Sequence, residues 1–148
     1  MRPSVLASGV YLGRLERQRS VGELSLCRNG YAPAARLAEH AHETNYLCLG
    51  LSGRFLERSH GVEQLVLPGM AVFHPSGERH ADAFGPTPSS CLSISLARSW
   101  TGELEGSLRG GGRARYAPAP AVGTLVRRLA HEFDEPDEAS ALVLEGLT

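Results

Sequence analysis

From Val5 to Leu96 the apolar positions fall in short runs of four to eight residues, rich in valine, leucine, isoleucine and aromatics and separated by glycine, proline and serine-glycine steps. That rhythm predicts an all-β segment. Leu92, Ile94 and Leu96 alternate with Ser93 and Ser95, which predicts a half-buried strand with apolar groups on one face and hydroxyls on the other. Over 45–51, Tyr46 and Cys48 share one face while Leu47, Leu49 and Leu51 share the other. Neither face is made for water, so another element is expected to cover the leucines. Residues 54–59 and 62–67 flank His60-Gly61, which predicts an antiparallel hairpin because glycine accepts a positive φ. Pro68-Gly69 predicts a turn and 70–74 a strand. Pro75-Ser76-Gly77 turns the chain again before a strand over 80–84, and 85–90 is expected as an exposed loop leading to the strand of Cys91.

After Leu96 the pattern changes. The stretch from Gly102 to Arg115 is rich in glycine and serine and carries Arg109, Arg113 and Arg115; with the Ala117-Pro118-Ala119-Pro120 joint, it predicts a linker over 101–119. The three arginines read either as a phosphate contact or as a solvated loop. Val122, Leu125, Val126, Leu129 and Phe133 recur at helical spacing from Pro120 onward. Asp134 or Glu135 is placed to cap a second helix carrying Leu142, Val143, Leu144 and Leu147, with Pro136 in its first turn. The expected organisation is a barrel over 1–100, a linker over 101–119 and a helical segment over 120–148. Leu144-Glu145-Gly146-Leu147-Thr148 ends in mid-pattern, so the native chain is expected to continue.

A chain of 148 residues, 42% of them hydrophobic, has the material for one packed core. Fifteen basic and sixteen acidic residues give a net charge of -1, without the basic surplus of a nucleic-acid binder. Cys27, Cys48 and Cys91 are odd in number and far apart, with no C-x-x-C spacing, which predicts buried free thiols in a reducing cytoplasm. No segment reaches the roughly 18 apolar residues of a membrane span, so no membrane partner is expected.

The candidate chemistry lies in the histidines. Side chains at i and i+2 leave one face of a strand, so His40 and His42 of His40-Ala41-His42 point the same way. A neighbouring strand can bring His80 beside them. Three imidazoles of this kind can hold a divalent transition metal such as zinc, nickel, copper or iron. They equally suit a polar pocket in which the rings are satisfied by one another, by Tyr46 and by backbone carbonyls. Tyr46, Cys48 and His74 complete the expected pocket; Glu78, just after a turn, can line its mouth but, as suits a charged side chain, is expected at the solvated surface. His60 and His131 carry no signal. No G-x-S-x-G elbow or phosphate-cradling loop is present, which sets hydrolase and nucleotide-binding readings aside.

Taken together, His40-Ala41-His42, Gly53 and the run Gly69-x5-Pro75-x-Gly77-x2-His80 resemble the two motifs of the cupin superfamily, small antiparallel β-barrels of jelly-roll type. The sequence departs from that pattern at Tyr46, which stands where the family's metal-binding Glu would be, and at Phe84, which stands where its closing Asn would be. The resemblance implies a mainly β fold, a cupin-type barrel followed by C-terminal α-helices. It implies a metal set of His40, His42 and His80.

Within the cupins, 39–96 is similar to the sensing domain of AraC-type transcription regulators. What that likeness implies is non-catalytic: a small effector bound by His40, His42, Tyr46, His80, Cys48 and His74, a homodimer formed through the helices, and DNA contacted only by a helix-turn-helix domain beyond this chain. The alternative is a stand-alone metal-dependent cupin enzyme of dioxygenase or isomerase type.

Overall fold

The computed structural model describes residues 4–96 and 112–147. Among the described residues eleven strands precede two helices: β1 Ser4–Leu6, β2 Arg14–Val21, β3 Leu24–Tyr31, β4 Arg36–His42, β5 Tyr46–Ser52, β6 Phe55–Ser59, β7 Val62–Val66, β8 Ala71–His74, β9 His80–Phe84, β10 Ser89–Ser95 and β11 Arg115–Ala117, then α1 Ala119–Asp134 and α2 Ser140–Leu147. They form a five-stranded sheet of order β1-β4-β9-β6-β7 and a six-stranded sheet of order β11-β8-β5-β10-β3-β2. The β1–β4 pair is parallel and every other pair among these strands is antiparallel. This is the antiparallel jelly-roll barrel with C-terminal helices that the sequence led us to expect.

The predicted hairpin is β6–β7, with His60 at φ 50° and Gly61 at φ 75°, the two positive values a two-residue primed turn requires. Within the stretch expected as linker, Arg115–Ala117 form β11 against β8; residues 101–111, with the phosphate reading of Arg109, lie outside the described residues. The second helix begins at Ser140 rather than beside Pro136, because Asp137 Oδ1 accepts from the Ala139 N–H at 2.8 Å and Ser140 Oγ accepts from the Asp137 N–H at 2.7 Å.

Two apolar layers sit on opposite faces of the six-stranded sheet. Leu49, Leu92 and Ile94 face outward and pack with Val126, Leu129 and Phe133 of α1. Tyr46, Cys48 and Cys91 face inward with Phe55, Val66 and Phe84. The strand expected to be half-buried, β10, is buried along its whole length, since α1 covers its leucine face while Ser93 lines the barrel cavity and Ser95 bonds Tyr11. The same helix supplies the cover expected for the leucines of β5.

The C-terminal end of α1 is held by arginines from the sheet edge. Arg17 donates to the Asp134 carbonyl at 2.7 Å and Arg19 to the Glu132 carbonyl at 3.3 Å. Arg28 forks onto the Asp134 carboxylate. These donors satisfy carbonyls that a helix end leaves without intrahelical partners and place positive charge where the helix dipole favours it.

Gly53 makes the β5–β6 turn at φ 68°, and a Cβ there would lie 2.7 Å from the Pro88 carbonyl oxygen. Gly61 has a similar φ of 75° but open space around it. Gly61→Ala is expected to cost about 1 kcal/mol, the left-handed backbone alone, and Gly53→Ala about 2 kcal/mol or more. Equal urea midpoint shifts for the two variants would contradict the crowding at Gly53.

Candidate metal centre

Strand register brings the site together. His40 on β4 lies opposite His80 on β9, and their ring centroids are 4.4 Å apart. His42, two residues along the same strand, has its ring 5.3 Å from that of His40 and 5.7 Å from that of His80. On the facing sheet Tyr46 and His74 are register partners whose rings stack at 4.6 Å. His40, His42, Tyr46, His80, Cys48 and His74, the six expected pocket residues, all line one cavity of about 30 Å³, and all are buried.

Around His80 lies a second set of groups that sequence reading missed. β6 carries Glu57 and Ser59 on the same inward face, opposite Asp82 and His80. Glu78, expected at the surface, is 3% exposed: the Pro75-Ser76-Gly77 turn folds it inward, where Ser59 donates to its Oε1. One oxygen, Glu78 Oε2, accepts both the Nδ1–H of His80 at 2.9 Å and the Nδ1–H of His74 at 3.0 Å. On its far side His74 Nε2 lies 3.3 Å from Glu57 Oε2, and Tyr116 of β11 donates to Glu57 Oε1. The alternation Phe55, Glu57, Ser59 carried the signal for Glu57, since Phe55 is apolar and shares its face.

The electrostatics sort these groups into charged and neutral. Burial alone would push the His74 imidazole down, but Glu57 and then Glu78 outweigh it and raise His74 to about 10. Burial raises Glu57 and Glu78 in turn, and the His74 cation with its hydrogen bonds reverses this, so both stay below the usual carboxylate range. With no carboxylate partner, His40 is pushed down to about 4 and His42 to about 3, by burial first and by neighbouring imidazoles second. Burial lifts Asp82 to about 7, and its Oδ1 has no hydrogen-bond partner among the described residues.

A divalent ion fits this chemistry. The ligand atoms of His40, His42 and His80 lie within 4.8 Å of one another. His40 Nδ1–H donates to the Ala38 carbonyl at 2.9 Å, which fixes the tautomer and leaves Nε2 as the lone-pair nitrogen. The Glu78 carboxylate does the same for His80, whose Nε2 accepts from the Tyr46 hydroxyl at 3.2 Å. Tyr11, also missed in the sequence, packs its ring 5.2 Å from that of His42 and bonds Ser95 Oγ at 2.6 Å.

No family model matches the chain, and no curated protein does. Among solved structures, it is similar to a cupin superfamily protein from Desulfitobacterium hafniense, at 18% identity over 58% of this chain and 83% of that one, with a TM-score of 0.48. It is also similar to the DMSP lyase DddQ from Ruegeria pomeroyi, at 23% identity over 51% of this chain and 39% of that one, TM-score 0.48. A third is the polyketide cyclase RemF from Streptomyces resistomycificus, at 27% identity over 49% of this chain and 53% of that one, TM-score 0.45. Strand order and register, given above, define the fold independently of these partial likenesses. The expectation of a non-catalytic domain is corrected by the cavity itself, which concentrates buried ionisable groups that a simple packed pocket does not need.

Proposed function

We propose that the chain is a metal-dependent enzyme of the small β-barrel type, catalysing proton transfer next to a carbonyl in an isomerase-like reaction. The observation that carries this reading is the pairing, in one cavity, of lone-pair imidazole nitrogens on His40 and His80 with a carboxylate oxygen of Asp82 that has no hydrogen-bond partner among the described residues. A dication held by His40, His42 and His80 would supply Lewis acidity toward a substrate oxygen. Asp82 Oδ1 is the atom placed to accept a proton, and the Tyr46 hydroxyl is a donor for the developing oxygen charge. A cavity of about 30 Å³ has room for an ion and a water, or for the reacting end of a substrate. Three free buried cysteines support a reducing, cytoplasmic setting, and no described helix is long and apolar enough to cross a membrane.

Metal analysis of freshly purified protein tests the first half, with about one ion per chain expected and none overturning the reading. Deuterium exchange from D₂O into small enolisable oxo acids tests the second. Asp82→Asn is expected to slow exchange by about 10²- to 10⁴-fold with the ion still bound. An Asp82→Asn enzyme as fast as wild type would remove Asp82 from the reaction.

A second reading takes the same barrel as the sensor of an AraC-type regulator. The feature that supports it is α1, clamped at its end by Arg17, Arg19 and Arg28, which couples the barrel stiffly to the helical layer. Exposed Leu125 and Leu142 on the two helices suit a homodimer contact. Light scattering of the protein checks that contact, a dimer being the expected result.

A further inference from the structure

The set His40, His42 and His80 offers a dication three neutral donors and no anion. Directly across His80 lies a different set. The ligand atoms of Glu57, His74 and His80 also fall within 4.8 Å of one another, and all three residues are buried. We propose that a divalent transition-metal ion in this barrel is seated on the Glu57 carboxylate, His74 Nε2 and His80 Nε2, with His40 and His42 facing that ion from the cavity side. The proposal rests on the reading that the barrel binds a metal, and it moves the seat.

Four features of the geometry favour this seat. First, Glu78 Oε2 accepts both Nδ1–H groups, at 2.9 and 3.0 Å, so a single carboxylate orients two imidazoles and leaves both Nε2 atoms to act as ligands. Second, Glu57 Oε2 and His74 Nε2 are 3.3 Å apart. In the metal-free protein that is an ion-pair contact, and it is also close to the ~3.4 Å edge between two ligands each ~2.1 Å from a tetrahedral ion. Third, Glu57 is itself anchored, since Tyr116 donates to its other oxygen. Fourth, two buried carboxylates flank one imidazole, so the pocket is built to hold positive charge, and a two-histidine, one-carboxylate set is a familiar one for iron(II) and its neighbours. Entry of the ion exchanges the Tyr46 hydroxyl contact at His80 Nε2 for a metal bond and displaces the His74 Nε2 proton to solvent, the dication replacing the imidazolium charge between Glu57 and Glu78.

Cobalt(II) titration of wild type, Glu57→Gln and the double variant His40→Ala/His42→Ala, followed by calorimetry and visible absorption, separates the possibilities. Glu57→Gln is expected to weaken binding by at least tenfold, with the double variant within about threefold of wild type. The reverse order overturns this seat and leaves the metal-dependent reading standing. Absence of binding to wild type overturns the metal-dependent reading itself. X-ray absorption of cobalt-loaded wild type gives a check that needs no variant to fold: two imidazoles plus oxygen ligands are expected, and three imidazoles would refute the assignment.

Discussion

His74→Ala, studied in the presence of a chelator, is expected to lose about 3–5 kcal/mol of unfolding free energy, because it leaves Glu57 and Glu78 as buried carboxylates with no cation between them. Both side chains are essentially inaccessible and each faces one nitrogen of the His74 ring. The loss reflects the stranded charges more than the worth of the pair, so the triple variant Glu57→Gln/His74→Leu/Glu78→Gln is expected to recover a good part of it. A His74→Ala protein within 1 kcal/mol of wild type by urea unfolding would mean that water reaches the cluster and screens it.

The pH dependence of that gap has a definite sign. The folded-state value of His74 is about 10, above the 6.5 of an unperturbed histidine, so its contribution is complete below pH 6.5 and lost as pH rises through about 10. The midpoints of wild type and His74→Ala should therefore converge between pH 6.5 and pH 10. His40 and His42 behave oppositely: folded values of about 4 and about 3 mean that the unfolded chain takes up protons first, and stability falls as pH drops below 6.5.

What the sequence made legible here was whatever a period of two could express. His40 and His42 share a face, the leucines of β5 oppose Tyr46 and Cys48, and the glycine-proline punctuation marks the turns, so the barrel and half of the site could be read directly. The other half could not, for a physical reason. A glutamate in a strand or after a turn is solvated in most proteins, and only the arrival of a cation from another strand makes its burial tolerable. Glu57 and Glu78 are buried because His74 stands between them, a relation between β6, β8 and the following turn that no local pattern encodes. Ser93 and Ser95 of β10 were misjudged likewise: their polarity suggested water, while the structure turns them toward the polar cavity and Tyr11 and gives the water-excluding helix to the leucines.

Phe133→Ala is the second large effect, about 3–5 kcal/mol, since Phe133 is 1% exposed, sits in the outer apolar layer and lies beneath the Arg17 guanidinium at 5.5 Å. Its consequence for function is the more informative measurement. Outer-layer residues Leu49 and Leu92 and inner-layer residues Cys48 and Cys91 are chain neighbours on β5 and β10, so the two layers share a sheet but not a face. If the helices only buttress the barrel, cobalt affinity should stay within about twofold of wild type in Phe133→Ala and in the gentler Phe133→Leu, with the cobalt spectrum unchanged. A shift in affinity that follows the size of the side chain would show that the helix layer and the histidine cavity are energetically coupled, and reciprocity then requires ligand binding inside the barrel to act on α1. That outcome favours the sensor reading over a free-standing enzyme; its absence removes the route by which a sensor would pass its signal onward.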